Sequence, residues 1–250
     1  MMIGVVIPAH SQPEALKRAI DSLETERVVV VDDSPEGLGP IDGVAVVRTS
    51  GEEGFASAAN HGLSYWQSRG VNRVLLVNDD AVLQPGCLDA LNSSWTANDG
   101  AIAPVVHEPD GPVFGIDLRG FGRVRLRRVP GAVGALSGAV MLLRSSERFD
   151  SAYPHGFEDI DLCCRLRKRG LSVRVVETAH ATHEAGGTVP RRSRRAQQTA
   201  LSGHLRWVGG GARGAYAVAL SVAQILREGG PYDRLLGVVD AVTDHRRRSQ

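Results

Sequence analysis

The sequence predicts an α/β fold in which a mostly parallel central sheet is flanked by helices. Three observations lead there. Short runs that are apolar throughout recur along the chain, as at Ile3-Gly4-Val5-Val6-Ile7, at 28–31 and at 74–77. Such runs are strands buried on both faces. Stretches with helical spacing separate them: over 55–66, Ala58, Ala59, Gly62, Leu63 and Trp66 fall together. The runs also end in polar clusters, namely Pro8-Ala9-His10, Asp32-Asp33 and Asn78-Asp79-Asp80. Ligands of open parallel sheets bind just outside the carboxyl ends of the strands, so one crevice accounts for all three clusters.

After the first strand, Pro13 stands near the start of a helix with Leu16, Ile20 and Leu23 on one face. Residues 28–31 and 44–47 supply two further strands, 55–66 a helix, and the stretch around Leu75 and Leu76 a strand. Residues 102–106 read as a strand. The segment 107–135, rich in Gly and Arg with little periodicity, reads as loops or a short hairpin. A strand is expected at 139–143, a helix over 158–169 closed by Gly170, a strand at 173–176, and a loop through 180–188. From about residue 190 the pattern becomes helical and Arg-rich. The expected division is a domain over 1–190 and a helical extension over 191–250, with no internal repeat.

Composition narrows the functional classes. The chain of 250 residues is 42% hydrophobic and 23% charged, ordinary for a globular protein. A net charge of +1 gives no overall case for nucleic acid. Arginines crowd at 123–128, 191–195 and 246–248, which read by default as solvated faces. No apolar run approaches the length of a bilayer span, and the start, Met1-Met2-Ile3-Gly4, has no basic leader. Cys87, Cys163 and Cys164 fit neither a disulfide framework nor a zinc site, so a cytoplasmic location is expected. The helical stretch 215–226, with Val218, Val222, Ile225 and Leu226, is expected to pack on the domain or to form a homodimer; peripheral membrane contact is its alternative.

Three constellations carry chemistry. Adjacent Asp79 and Asp80 at a strand end repel each other, and a bound cation removes that cost; a turn or helix cap is the plainer reading. Glu158 and Asp159 begin a helix whose apolar side is Leu162, Cys163 and Leu166. There they either complement the helix dipole or hold a general base at a cleft. His180 and His183 precede Gly186-Gly187-Thr188, without the spacing of a zinc site, so a metal role for His183 needs partners from elsewhere.

Taken in order, these residues resemble the family 2 inverting glycosyltransferases of GT-A fold, closest to bacterial rhamnosyltransferase- and galactofuranosyltransferase-like members. The resemblance runs through Val6-Ile7-Pro8, Asp32-Asp33-Ser34, Gly54-Phe55-Ala56 with Asn60, Asn78-Asp79-Asp80, and Leu136-Ser137-Gly138-Ala139. It continues through Phe149-Asp150, Glu158-Asp159-x-Asp161-Leu162 and His183-x-x-Gly186-Gly187-Thr188. It implies a UDP- or dTDP-linked sugar donor, a hydroxyl acceptor and a divalent cation, Mn²⁺ or Mg²⁺. By position, Asp80 and His183 would be metal ligands, with Asn78 and Asp79 beside the donor. Pro8, Ala9, Asp32 and Asp33 would line the base and ribose pocket, and Gly54, Phe55 and Asn60 would contact the nucleotide sugar. Asp159 would be the general base and Glu158 its neighbour near the acceptor. Two departures stand out: Glu53 replaces a usual Asn, and 107–135 matches poorly.

Two rival readings share the sheet. A sugar nucleotidyltransferase needs a Gly-rich, basic loop after the first strand to hold a triphosphate, which Pro8-Ala9-His10-Ser11-Gln12-Pro13 is not. A non-catalytic nucleotide-sugar-binding or scaffold protein is opposed by the presence of Asp80, Asp159 and His183.

Overall fold

The apolar runs become the middle of one sheet. A computed structural model describes residues 2–153, 156–184, 193–209, 211–228 and 232–248. The chain runs β1 (Ile3–Ala9), α1 (Pro13–Asp21), β2 (Val28–Asp32), β3 (Ala45–Arg48), α2 (Phe55–Gln67), β4 (Arg73–Val77), β5 (Ala81–Leu83) and α3 (Cys87–Ser94). It continues with β6 (Asp99–Glu108), β7 (Gly111–Val113), β8 (Ile116–Arg119), β9 (Arg123–Leu126) and β10 (Val140–Arg144). Then follow α4 (Glu158–Lys168), β11 (Ser172–His183), α5 (Arg194–Val208), α6 (Gly211–Arg227) and α7 (Tyr232–Arg248).

The strand order is β3-β2-β1-β4-β10-β6-β11-β5, with β7 on β6 and β8-β9 forming a separate hairpin. Strands β3, β2, β1 and β4 are mutually parallel, as are β6 and β11. Strand β10 runs antiparallel to both neighbours and joins the two groups.

Alternation along the strands feeds two cores. Val6, Val29, Leu76 and Met141 face α2 and α4, where Ala59, Leu63, Leu162 and Leu166 meet them. Val5, Ile7, Val30 and Leu75 face α1 and α3, against Leu16, Ala19, Cys87 and Leu91. Helix α2 lies so close to β1 that a Cβ on Gly62 would collide with the Val6 side chain. Trp66 Nε1 there donates to the Val5 carbonyl at 2.9 Å. The β6–β11 pair is anchored at its start by Asp99. Burial pushes this carboxyl up, but bonds from Arg174, Ser172 and Thr96 overcome that and bring it to about 2.

Several elements differ from the sequence expectation. Strand β6 covers Asp99–Glu108 rather than 102–106, because a Pro109-Asp110 turn folds β7 back on its polar end. Strand β11 runs on to His183, so His180 and His183 are strand residues and not loop residues. A register shift between Val176 and His180 carries the strand past Glu177 and Thr178, which interrupt its apolar pattern. Segment 107–135 holds three short strands.

Helices α5, α6 and α7 share a third core of Leu201, Leu205, Ala217, Ile225, Val238 and Ala241, with Val218 and Val222 packed against it. The expected apolar face of α6 is therefore covered by its neighbours, while Leu226 stays 67% exposed. Among the described residues, no helix is long and apolar enough to cross a membrane.

The Gly62 contact sets an expectation for stability. Alanine returns ~1 kcal/mol of helix propensity, but overpacking a well-filled core costs ~1–3 kcal/mol. Gly62→Ala should therefore be destabilised by about 1 kcal/mol, lowering Tm by about 2–4 °C in calorimetry. A raised Tm would show that α2 has room to move off β1.

Candidate active site

The site begins where β4 stops. Asn78 N donates to the Ala139 carbonyl at 2.8 Å, and Ala81 N closes a turn onto Asn78 O at 3.1 Å. That turn faces Asp79 back toward β1, where its carboxylate accepts the His10 backbone N–H at 3.1 Å. His10 Nδ1 lies 2.9 Å from the Asp33 carbonyl, so the ends of β1, β2 and β4 are tied together. Burial pushes Asp79 up to about 6, with the Asp80 charge adding to it and the His10 N–H opposing it.

Asp80 meets His183 across the β5–β11 pairing, Oδ1 to Nε2 at 3.0 Å. The Glu184 N–H donates to the Asp80 carbonyl at 3.2 Å. The Asn78 amide nitrogen stands 3.5 Å from the same histidine nitrogen. Two buried polar atoms here have no hydrogen-bond partner, Asn78 Oδ1 and His183 Nδ1. These residues fit a divalent cation. Neighbouring ligands on an octahedral ion with bonds of about 2.1 Å stand about 3 Å apart, the separation of Asp80 and His183. Among the described residues no third His, Cys, Asp or Glu completes a cage, so remaining positions would fall to water and ligand oxygens.

The expected donor residues divide into walls and braces. Ala9 pairs with Asp32, and Pro8 with Val31, at the parallel β1–β2 ends. Asp32 accepts the Ser34 N–H at 3.0 Å, the Leu38 N–H at 2.8 Å and Arg48 Nη1 at 2.9 Å. Asp33 accepts the Thr49 hydroxyl at 2.5 Å and the Glu53 and Gly54 N–H groups at 2.9 and 2.8 Å. Both carboxylates thus brace the 34–38 and 49–54 loops. Glu53, at the position where the sequence departs, holds Ser50, Ser57 and His61, and these bonds lower it to about 2. Gly54 starts α2 with φ 90. The Phe55 ring stands edge-on to Phe149, centroids 5.8 Å apart. Asn60 spends both ends of its amide on the Phe149 backbone at 2.9 Å. Its side chain therefore braces the 149 loop, a role the sequence pattern did not indicate.

The acids of α4 lie close by. Asp159 Oδ2 accepts the Gly138 N–H at 2.9 Å, and Oδ1 the Ile160 N–H at 2.7 Å. A Cβ built on Gly138 would be 3.5 Å from both Asp159 and the Phe55 ring, so Phe55 and Asp159 border the same residue. Withdrawal from water pushes Asp159 up, against those two N–H bonds. Glu158 is 7% exposed, and its Oε2 is buried without a hydrogen bond. Burial and the Asp159 charge raise it to about 8.

Sequence reasoning missed Glu108. It follows His107, which pairs with Thr182, so it stands opposite His183 on the next strand, and its Oε1 is 4.0 Å from His183 Nδ1. Only a strand drawn through 108 would have shown it. His180 turns to His107 instead, Nδ1 to Nε2 at 3.2 Å. The Gly186-Gly187-Thr188 turn and Arg191-Arg192 lie outside the described residues.

Raised acids tie stability to pH. Glu158 releases its proton near its ordinary 4.5 when unfolded and near 8 when folded. In that window the folded state holds more protons, so stability falls as pH rises; Asp79 acts in the same sense between 3.8 and about 6. In chelator-treated protein the urea midpoint should fall from about pH 5 to about pH 8, and Glu158→Gln should flatten the fall above about pH 6. Identical slopes in the two proteins would contradict a buried, protonated Glu158.

Known proteins place this geometry. Residues 4–146, more than half of the chain, match the model of Glycosyl transferase family 2. The chain is 28% identical over 239 residues to N-acetylglucosaminyl-diphospho-decaprenol L-rhamnosyltransferase of Mycobacterium tuberculosis, covering 75% of this chain and 78% of that protein. It is also 28% identical over 203 residues to the pre-mycofactocin glycosyltransferase of the same organism, covering 73% of this chain but 42% of the relative. Among solved structures, a mannosyltransferase from Pyrobaculum calidifontis in complex with GDP-Man and Mn²⁺ superposes with a TM-score of 0.58 at 13% identity, over 99% of this chain and 88% of that one. GalNAc-T7 with UDP, GalNAc and Mn²⁺ gives 0.59 at 14% identity, over 73% of this chain and 43% of that one. With the family matched across β1 to β10 and the sheet superposing on such enzymes, the chain belongs to glycosyl transferase family 2 and is a glycosyltransferase of GT-A fold.

Proposed function

We propose that the chain moves a sugar, with inversion, from a UDP- or dTDP-linked donor to an acceptor hydroxyl. The observation that carries this is the pairing of two sites through one segment. Ala139 accepts from Asn78 at the Asp79-Asp80 turn, and Gly138 donates to Asp159. The acidic turn after β4 and the carboxylate of Asp159 are thus tied to adjacent residues, which supports a cation-held donor and a base side by side, as inverting transfer needs. The rhamnosyl activity in the name of one relative agrees with a deoxyhexose donor.

Asp80 and His183 would hold Mg²⁺ or Mn²⁺, which when bound neutralises the donor diphosphate as a Lewis acid. Asn78 and Asp79 set the turn that presents them. The 34–38 and 49–54 loops, braced by Asp32 and Asp33 beside Pro8 and Ala9, bound the base and ribose, with Gly54 and Phe55 toward the sugar. Asp159 takes the proton of the acceptor hydroxyl. The oxygen of that acceptor hydroxyl bonds to the anomeric carbon on one face while the bond to the diphosphate breaks on the other, the diphosphate leaving. Burial and the neighbouring Asp159 charge push Glu158 toward its neutral form, which limits the charge beside the base. Free Cys87, Cys163 and Cys164 suit a reducing, cytoplasmic setting. The packing of α6 within its own helical core leaves Leu226 for contact with a second subunit or a membrane surface.

A thermal-shift screen of UDP, dTDP, GDP and CMP, each with and without Mn²⁺, tests the donor site. A ligand at about 100 times its Kd stabilises by ~2.7 kcal/mol, on the order of 5–10 °C for a chain of this size. The shift should require Mn²⁺ and vanish in Asp80→Ala; no shift with any nucleotide would remove the assignment. Asp159→Asn should retain the shift while turnover falls about 10²–10⁴-fold. Retained turnover would leave a different base, and binding without turnover in the wild type would favour a non-catalytic binding protein.

A further inference from the structure

We infer that α5 belongs to the catalytic apparatus, with His204 as a positioning residue that acts on the Glu158–Asp159 pair through Phe157. This rests on the reading of Asp159 as the base. Phe157 immediately precedes Glu158 and has φ 74 and ψ −8. A bulky side chain keeps that left-handed conformation only where its surroundings hold it. Gly156 before it is also left-handed, with φ 83. These two residues reverse the chain so that the first turn of α4 meets Gly138.

What holds the reversal comes from α5. The His204 imidazole lies flat on the Phe157 ring, with centroids 4.9 Å apart and planes 10° apart. Trp207 flanks the same ring at 5.9 Å. Gly203 approaches the Gly156 carbonyl so closely that a Cβ there would collide with it. Arg206 pairs with Asp150 at 2.9 Å and lies over the Tyr153 ring at 5.2 Å. One helix thus grips the segment before Glu158 at both ends. Its position lies beyond the residues matched by the family model.

His204 also reaches the other way. Its Nε2 donates to the Gly122 carbonyl, 2.7 Å away at the tip of the β8–β9 hairpin. Burial lowers its proton affinity and favours the neutral ring, whose Nε2–H makes this donation. Removing the ring leaves Phe157 free to relax toward ordinary backbone angles, and the relaxation swings the turn that sets Asp159 against Gly138. A displacement of about 1 Å in such a site can cost about 10²-fold in rate.

Three variants of the full chain separate the ring from its hydrogen bond. H204F keeps the stacked ring, H204Q keeps a donor, and H204A keeps neither. The first readout is a carboxyl ¹³C NMR titration without metal or donor, with Glu158 assigned by Glu158→Gln. The second is nucleoside diphosphate release from UDP-glucose and from dTDP-L-rhamnose with Mn²⁺, resolved into kcat and KM. Positioning predicts that H204A and H204Q lower kcat about tenfold or more with donor KM within about twofold, while H204F stays within about threefold of wild type. The Glu158 midpoint should drop in H204A and H204Q alone, as water enters the loosened turn. Equal behaviour of H204F and H204Q in both readouts, or an H204A protein indistinguishable from wild type, overturns the inference. If H204A does not fold, the comparison of H204F with H204Q decides. Should wild type turn over neither nucleotide sugar, the transfer reading fails on that result, and the titration series still judges the role of His204.

Discussion

The site depends on the direction of β10. Parallel strands all leave the sheet at the same edge, so a further parallel strand would bring its preceding loop to the opposite edge. Strand β10 runs antiparallel to β4, with Val140 paired to Val77, the last residue of β4. Residues just before β10 therefore arrive where β4 departs. Gly138 and Ala139 can then touch Asp159 on one side and Asn78 on the other. Without that reversal, the acidic turn after β4 and the acids of α4 would share no backbone segment.

The acids of this edge fall into two groups by what surrounds them. Asp32 and Glu53 lie below their ordinary range; Glu53 is held there by Ser50 of its own loop and by Ser57 and His61 of α2, and in Asp32 hydrogen bonds and the Arg48 charge outweigh burial. They are finished structure, and ligand binding gains little from them as charges. Asp79 and Glu158 are raised, chiefly because burial takes water away without supplying enough donors. An under-solvated acid is costly in the empty protein. The cost persists where a ligand relieves it, or where a proton must stay in place. Asp79 suits the first case, next to Asp80, whose spacing from His183 fits a divalent cation. Glu158 answers to the second, since Oε2 has no donor and Asp159 repels its charge.

Much of this was legible in the sequence because apolar runs and strand-end polarity are local signals. The strands at Val28–Asp32 and Arg73–Val77 and the helix Phe55–Gln67 lie where periodicity placed them. Asp80 with His183 was reached through motif order rather than pattern, since the contact spans about a hundred residues of chain, whereas the bond from Gly138 to Asp159 was not foreseen. Illegible features had non-local causes. Nothing local marks Glu108, which needs the β6–β11 register to meet His183. Asn60 looks like a pocket residue until Phe149 claims both ends of its amide. The polar pair Glu177-Thr178 ended the predicted strand early, because a register shift hides inside one continuous element.

The division near residue 190 takes on a different meaning in the structure. Helices α5 to α7 share a core of their own. Yet α5 also spends Gly203, His204, Arg206 and Trp207 on the segment ahead of Glu158. A left-handed Phe stores about 1–3 kcal/mol of strain, an amount comparable to one aromatic stack of ~0.5–1.5 kcal/mol with the apolar area it buries. The balance is close enough that α4 alone would not keep the turn. A helix from outside the main sheet thereby holds the segment that leads into Glu158 and Asp159. The same histidine also binds the hairpin tip at Gly122, so one side chain joins that hairpin to the segment ahead of α4.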